Sequence, residues 1–424
     1  MFSILQNKGG TKVNFNKVID RTGTYCTQWD YVKDRFGEEH LLPFTISDTD
    51  FAIPETVSQA INERLKHPIL GYTRWKHAHF RDAVQKWYQD RFELETNEAW
   101  ILYSPSVIYS ISQLIQMQSD TGNGVVVQTP AYDAFFKTIT ANERELVENP
   151  LHYENGSYSI DFADLEEKLA DENNKILLLC SPHNPTGRVW TQDELEHIIA
   201  LCQKYNVFII SDEIHMDVTR KGMKHHPILR YTQKNVALVT SASKTFNFPG
   251  LNFSYLLVPD ESLRDAFEFA LKNRDGLSST SILGMEATIA AYNSSAEWTD
   301  SLNDYLDESI DLVRENLQKN CPEIKMVESE ATYLLWLDIS ELGFSMDEIQ
   351  DVLVHQEKVA IMDGAVYGGN GEDFLRLNIG CPKSKVEEGV KRLISGINIL
   401  KENKQQKGSI SFAKAALVLP DLPL

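Results

Sequence analysis

The chain has 424 residues, which is too long for one hydrophobic core and predicts two domains. Its 42% hydrophobic and 24% charged residues are typical of an ordinary soluble globular protein. The formal net charge of −20 argues against a nucleic-acid-binding surface, because phosphate binding depends on lysine and arginine.

The cysteines and the longest apolar runs predict a cytoplasmic protein without a metal site. The odd count of five cysteines and the absence of a signal peptide fit a reducing compartment. No two cysteines have the close spacing of metal ligands, and Cys180 and Cys202 fall in apolar patterns that favour buried, unreactive thiols. No apolar run approaches the ~20 residues needed to span a bilayer.

Residues 1–50 are predicted to form an N-terminal arm and part of a smaller domain. Within them, residues 41–51 read as a short strand that runs into an acidic loop. The pair Asp48 and Asp50 suggests either a metal site or a loop positioned at a substrate mouth, and the missing third ligand favours the loop. A helix is predicted from Pro54 through Lys66, since its apolar residues share one face.

Four apolar runs, at 125–128, 176–180, 207–210 and 236–239, predict buried parallel strands of a large domain over 51–290. Each run ends in a polar segment, and ligands of open α/β sheets bind at that carboxyl edge. The segment from Thr191 to Glu194 has the form of a capping box and predicts the helix between the second and third strands. The candidate site residues that follow these strands are Tyr132, Asn184, Asp212, His215 and Lys244.

Lys244 is the central candidate because it follows a strand and has Ser241 and Ser243 beside it. A lysine at such a position suits covalent bonding to an aldehyde cofactor, with the two hydroxyls donating to a phosphate. The alternative is a surface loop lysine. Ser106 and Val107 precede a helical pattern, and the N–H groups at a helix start also favour an anion.

A smaller α+β domain is predicted over 291–400, with strands at 331–338 and 359–362. Arg376 is the one charge in the apolar strand pattern of residues 374–380, so a structural or a substrate carboxylate is expected to meet it. His225 and His226 lie in a Gly/Lys/Pro linker and are predicted to be solvated. Residues 401–424 form a tail to which no role is assigned.

The order and spacing of Asn184, Asp212 and Lys244 resemble the fold-type I pyridoxal-phosphate (PLP) enzymes of the aspartate aminotransferase superfamily. The resemblance implies an α/β fold: a large domain with a mixed, mostly parallel sheet and a smaller α+β C-terminal domain. It assigns Lys244 to the bond with pyridoxal 5'-phosphate, Asp212 to the pyridine nitrogen and Asn184 to the ring hydroxyl.

The same superfamily resemblance gives roles to four further residues. Tyr132 matches an aromatic ring that stacks on the cofactor, with a core tyrosine as the alternative. Tyr72 matches a tyrosine that reaches the cofactor phosphate of the partner subunit, with simple packing as the alternative. His215 stands where many aminotransferases have tyrosine, and is expected to contact the cofactor less directly. Arg376 matches the arginine that grips the carboxylate of an amino-acid substrate.

Within this superfamily the sequence is most similar to the MalY/PatB family of cystathionine β-lyases. Asn252 stands where the common aminotransferases have a phosphate-binding arginine, and Ser104 and Asp363 depart from the glycine and proline expected in relatives. The segments that carry the resemblance are 25–31, 42–48, 71–75, 130–135, 211–217, 274–279 and 376–382.

The family resemblance implies a homodimer that catalyses α,β-elimination of L-cystathionine or a related L-cysteine S-conjugate. The products would be a thiol such as homocysteine, pyruvate and ammonia. Two alternatives remain: an aminotransferase with the same residues, and a regulatory protein that binds a transcription regulator, as some lyases of this family do. A nucleic-acid partner and a membrane partner are not expected.

Overall fold

The computed structural model describes residues 13–416, and the side chains of its last helix as far as residue 406. The first 12 residues of the expected N-terminal arm and residues 417–424 of the tail lie outside this part. The helices are α1 (Val32–Phe36), α2 (Glu55–Leu65), α3 (Ala78–Phe92), α4 (Val107–Gln118), α5 (Asp133–Ala141), α6 (Phe162–Ala170), α7 (Gln192–Tyr205), α8 (Ser243–Phe246), α9 (Glu261–Phe269), α10 (Ile282–Ser294), α11 (Ala296–Asn320), α12 (Met346–Asp351) and α13 (Lys383–Ala416).

The strands fall into two main sheets and one short hairpin. In chain order they are β1 (Leu42–Phe44), β2 (Ile101–Ser104), β3 (Gly124–Thr129), β4 (Glu145–Pro150), β5 (His152–Glu154), β6 (Ser157–Ser159), β7 (Asn174–Cys180), β8 (Phe208–Asp212), β9 (Val236–Thr240), β10 (Ser254–Leu257), β11 (Lys325–Met326), β12 (Leu334–Asp338), β13 (Val359–Asp363) and β14 (Phe374–Asn378).

The larger sheet has the strand order β2-β10-β9-β8-β7-β3-β4, and β10 is antiparallel to both of its neighbours. Strands β9, β8, β7, β3 and β4 are mutually parallel, so their carboxyl ends meet at one edge. Every residue of β3, β7, β8, β9 and β10 is buried except Lys175, which explains their nearly continuous apolar sequences.

The elements predicted around this sheet are confirmed. The four predicted strands are present within two residues at each end. The capping box is also present: the Thr191 hydroxyl accepts from the Glu194 N–H, and the Glu194 carboxylate accepts from the Thr191 N–H. Pro54 directly precedes α2, which ends one residue before the predicted boundary.

The second sheet joins the two ends of the chain. Its order is β1-β13-β14-β12-β11, and β1 pairs in parallel with β13 although more than 300 residues separate them. The chain that leaves β1 therefore crosses from this sheet towards the larger one. Among the described helices, none is long and apolar enough to cross a membrane.

The loop that follows β1 is clamped on several sides. Arg21 contacts Asp48 at 2.6 Å and Asp50 at 2.8 Å, and Lys385 contacts Asp50 at 2.6 Å. The Asn378 side chain donates to the carbonyl of Asp48 at 2.7 Å. Both aspartates are thus paired with cations from the protein itself, which favours the positioning role over a metal site and holds the loop beside the sheet edge.

Candidate active site

A cavity lies at the carboxyl edge of the larger sheet, where the polar segments after its strands converge. It encloses about 790 Å³ of space, including the part open to solvent. Nine of the sequence-predicted site residues line it: Ser106, Val107, Tyr132, Asn184, Asp212, His215, Ser241, Ser243 and Lys244. Ser47, from the clamped loop, also lines the cavity.

Lys244 lies in the short helix α8, four residues after the end of β9. Its amine donates a hydrogen bond to the carbonyl oxygen of Ser47 at 2.7 Å and lies 3.0 Å from the Ser47 hydroxyl. Burial lowers the pKa of this amine to about 8; the charge of Arg376 acts in the same direction, while Asp48 opposes it. An amine with this pKa loses its proton far more readily than a surface lysine.

Asp212 is the last residue of β8 and is buried. Its Oδ1 accepts a hydrogen bond from the Ile214 N–H at 3.1 Å, and among the described residues no cation lies within ion-pair distance. Burial raises the pKa of the carboxyl to about 7, because the charged form is poorly solvated there. A cation placed beside it inside the cavity would restore the ionised form.

Hydroxyl and backbone N–H groups of the kind that an anion needs line one corner of the cavity, at Ser106, Val107, Ser241 and Ser243. The Ser106 hydroxyl caps α4 by accepting from the Tyr109 N–H at 3.0 Å, so the first turn of α4 faces the cavity. The Ser241 hydroxyl donates to the Phe253 carbonyl at 2.7 Å and lies 2.9 Å from the Ser243 hydroxyl. Since Ser241 has used its proton, Ser243 is the better placed of the two to donate to a ligand.

Ser104, where relatives were expected to have glycine, causes no strain in this corner. It ends β2, and its hydroxyl donates to the carbonyl of Ser106 at 2.9 Å. The carbonyl of Ser104 itself accepts from the Ser254 hydroxyl at 2.9 Å. The side chain therefore stabilises the turn into α4. Asn252, the other departure, lines the cavity with φ +48°.

Arg376 on β14 is buried and contacts Asn184, which lines the cavity. Its Nη1 donates to the Asn184 side-chain oxygen at 3.2 Å, and its Nη2 donates to the Thr45 carbonyl at 2.7 Å. Its Nε has no hydrogen-bond partner, and no carboxylate of the described residues lies within 4 Å of the guanidinium. The structural carboxylate expected as one alternative is therefore absent from this part of the chain. A buried guanidinium in this state favours an incoming carboxylate.

Tyr132 and His215 are two of the aromatic residues that line the cavity, together with Phe135 and Phe253. Tyr132 directly precedes α5, and burial raises the pKa of its phenol. His215 is buried in a T-shaped contact with Tyr333, and burial lowers the pKa of the imidazole to about 3. The ring is therefore neutral at physiological pH, and its Nδ1 has no hydrogen-bond partner among the described residues. Both rings line the space that a ligand would enter.

Tyr72 is the one predicted cofactor-binding residue outside the cavity. It lies in the loop between α2 and α3, and its side chain is fully exposed. The loop packs against residues 279–280 through Thr73, which accepts from Thr280 and whose N–H donates to Ser279. The structure therefore supports no role for Tyr72 in the cavity of its own subunit.

Two residues were missed or misjudged from the sequence. Ser47 supplies both hydrogen-bond partners of the Lys244 amine, yet it lies 197 residues away in the chain. The prediction that His225 is solvated was wrong: it is buried, and its Nε2 lies 2.8 Å from the Glu213 carboxylate. Glu213 also accepts from the Ser211 hydroxyl and the Ile228 N–H. Glu213, the carboxylate next to Asp212 in the chain, was the sequence signal that could have pointed to a buried partner for His225.

The chain is similar to known proteins over most of its length. The sequence profile of the family described as aminotransferase class I and II matches residues 39–393. The chain belongs to the aminotransferase class I and II family. This match spans both sheets, so the predicted α/β architecture of fold type I is confirmed.

Individual members of the family are similar along almost their full length. Protein MalY of Escherichia coli (strain K12) is 46% identical over 92% of this chain and 100% of its own. Cystathionine beta-lyase PatB of Bacillus subtilis (strain 168) is 36% identical over 91% of this chain and 100% of its own. The crystal structure of cystalysin from Treponema denticola, which contains a pyridoxal 5'-phosphate cofactor, has a TM-score of 0.87 at 30% identity, covering 92% of this chain and 100% of that chain. The predicted MalY/PatB-type membership is confirmed.

Proposed function

We propose that this chain is a PLP-dependent carbon–sulfur lyase that acts on L-cystathionine or a related L-cysteine S-conjugate. The Cα proton and the Cβ–S bond of the substrate would be lost together with uptake of one water, which yields a thiol, pyruvate and ammonia. The observation that carries the proposal is the convergence of a buried amine, a buried carboxylate and a buried guanidinium around one cavity. The similarity to PatB supports the choice of reaction.

The residues around the cavity fit PLP. Asp212 is a carboxylate whose pKa is raised to about 7 by burial, and a protonated pyridine nitrogen beside it would favour its ionised form. Lys244, with a pKa of about 8, is suited to bond with an aldehyde. The phosphate would lie in the corner formed by Ser106, Val107, Ser241 and Ser243. When bound, PLP supplies an electron sink for the bonds at the substrate Cα.

The substrate would be held by its carboxylate and turned so that Cα faces the lysine. The Arg376 guanidinium offers its unpartnered Nε together with an Nη, a fork that matches a carboxylate in two hydrogen bonds. Asn184 fixes that fork from the cavity side. The ring of Tyr367 lies 4.7 Å from the guanidinium carbon and limits the water that reaches it.

The amine of Lys244 would then act as the base. Free of its covalent bond, it takes the proton from the substrate Cα and can pass a proton to the departing thiolate. The rings of Tyr132 and His215 would exclude water during this step.

We also propose domain boundaries near residues 50, 290 and 400, which agree with the division of the strands between the two sheets.

We further infer a cytoplasmic homodimer. The side chains of Ile69, Leu70, Tyr72 and Phe269 are apolar and exposed, and the loop that carries Tyr72 meets α9 where Lys76 contacts Glu268 at 2.5 Å. A second subunit that covers this surface would bring Tyr72 to its own phosphate corner. All five cysteines are buried and unpaired, which fits a reducing compartment. Binding of a transcription regulator by this chain remains an alternative that the sequence analysis left open.

The competing reaction within the family is transamination, which needs the same lysine, carboxylate and arginine. The test is pyruvate and thiol release from L-cystathionine with and without 2-oxoglutarate. A lyase forms both products at the same rate without the keto acid. Product formation that requires 2-oxoglutarate would replace this proposal with an aminotransferase.

A further inference from the structure

The short helix α8, which carries Lys244, depends on the surrounding structure for its position. It has four residues, and isolated helices shorter than about 12 residues are marginal in water. Phe246 packs into the core against the ring of Trp87, which fixes one side of the helix. Two further contacts, at Thr245 and Asn247, are polar, and no step of the proposed reaction uses them.

Thr245, the residue after Lys244, is held by the loop that follows β8. Its hydroxyl donates to Oδ2 of Asp217 at 3.0 Å, and the Trp87 Nε1 donates to Oδ1 of the same carboxylate at 3.0 Å. All three side chains are buried, and burial raises the pKa of Asp217. Asp217 comes five residues after Asp212. The same loop therefore holds a carboxylate of the cavity and the neighbour of the lysine.

Asn247, three residues after Lys244, is held by the loop that follows β1. Its side-chain amide donates to the carbonyls of Thr49 at 2.9 Å and Phe51 at 2.6 Å. Its side-chain oxygen accepts from the Thr49 N–H at 3.1 Å. Thr49 lies two residues after Ser47, whose carbonyl accepts from the Lys244 amine. The contacts of Asn247 and of Lys244 therefore join the same two segments of the chain side by side.

We propose that Asp217 and Asn247 are positioning residues for Lys244. Asp217 keeps the lysine at a fixed distance from Asp212, because it acts through the residue next to the lysine. Asn247 keeps the amine against Ser47. This inference rests on the proposed role of Lys244, which bonds PLP and takes the substrate proton. A displacement on the order of 1 Å can lower the rate of such a step about a hundredfold.

The test removes each polar contact with little change in shape or backbone. T245V replaces the hydroxyl with a methyl group, and T245S restores it. N247G removes the amide without backbone strain, since Asn247 has φ +58° and glycine adopts that conformation freely. T288V and N206G are the matched controls. The Thr288 hydroxyl is buried and bonds within α10 at 2.9 Å, and Asn206 ends α7 with φ +54°.

The first measurement is the absorbance of bound PLP against pH, in the loaded enzyme without substrate. It reports the proton on the Lys244 nitrogen, whichever reaction the enzyme catalyses. In T245V and N247G the midpoint should rise by about half a pH unit or more, because a loosened nitrogen gains solvent that stabilises its charged form. T245S and both controls should keep the wild-type midpoint. Every variant retains the charges that act on this nitrogen, those of Asp48, Arg376 and Asp212.

The second measurement is kcat and KM for L-cystathionine, together with the kinetic isotope effect of deuterium at Cα. In T245V and N247G, kcat should fall about tenfold and KM should change less than about twofold, because a displaced amine slows proton transfer rather than binding. The isotope effect should rise. D217N separates position from charge: it keeps an oxygen for Trp87 and turns an N–H towards the Thr245 oxygen, so kcat should stay within about twofold of the wild type.

Several results would overturn the inference and leave the lyase proposal intact. These are an unchanged midpoint in T245V and N247G, equal changes in the two controls, no recovery in T245S, or a loss in D217N as large as that in T245V. Far-ultraviolet circular dichroism and PLP content identify a variant that fails to fold or load; T245A or N247S then replaces it, with the same expected changes. If the midpoints shift as expected but the wild type forms no pyruvate from L-cystathionine, the lyase proposal fails and the positioning role stands.

Discussion

The amine of Lys244 donates a hydrogen bond to the carbonyl oxygen of Ser47 at 2.7 Å and lies 3.0 Å from the hydroxyl of the same residue. A neutral amine has two N–H bonds and one lone pair, and a carbonyl oxygen can only accept. When the Ser47 hydroxyl accepts the second N–H, the lone pair points away from Ser47 and into the cavity. Tyr333 donates to the same carbonyl at 2.9 Å and holds it in place. Ser47 therefore orients the proposed base.

Removal of the Ser47 hydroxyl is expected to slow proton removal while the cofactor still binds. In Ser47→Ala, the amine keeps the carbonyl but loses its second partner, so kcat should fall roughly tenfold. The kinetic isotope effect with substrate deuterated at Cα should rise, because proton transfer becomes more rate-limiting. Ser47→Thr keeps the hydroxyl and is the matched control. Equal losses in the two variants would contradict an orienting role.

The depressed pKa of Lys244 predicts a pH-dependent reactivity in the protein without cofactor. The neutral amine is the nucleophile, so its reaction with an amine-directed reagent should increase as pH rises through about 8 and then level off. Peptide mapping of limited labelling at several pH values would follow Lys244 against exposed lysines such as Lys33. Exposed lysines should continue to gain reactivity towards pH 10. A parallel rise for Lys244 would contradict the burial effect.

The proposed role of Tyr72 in the partner's site predicts complementation between two inactive variants. In a heterodimer of Lys244→Ala with Tyr72→Ala, one site combines both defects and the other has neither. Co-expression with two different tags should therefore give a purified heterodimer with about half of the wild-type activity, although each homodimer is strongly impaired. Activity no higher than the average of the two homodimers would place Tyr72 outside the partner's site.

The buried contact between His225 and Glu213 predicts a stability effect. His225→Leu leaves the buried Glu213 with its bonds to Ser211 and Ile228 but without its histidine, which should lower the free energy of unfolding by about 2–3 kcal/mol. Urea unfolding followed by fluorescence would measure it. His226→Leu is the control: His226 is only half-buried and should lose less than about 1 kcal/mol. Similar losses of unfolding free energy in both variants would contradict a stabilising contact between His225 and Glu213.

Residues that follow apolar strands could be placed from the sequence, because the strand pattern itself shows where each strand ends. Asp212 and Lys244 are of this kind, and the structure brings both to one cavity. Ser47 could not be found in this way, since its contact with Lys244 depends on β1 crossing to pair with β13. His225 was misjudged because a polar linker sequence does not reveal a buried carboxylate that packs beneath it.

In the proposed reaction, Lys244 drives elimination rather than amino-group transfer. The most direct measurement is the stoichiometry of thiol, pyruvate and ammonia formed from L-cystathionine by the PLP-loaded enzyme without any keto acid. We expect equal amounts of the three products over many turnovers, and loss of this activity in Lys244→Ala with PLP still bound. A single turnover that stops without pyruvate, or full activity in Lys244→Ala, would contradict it.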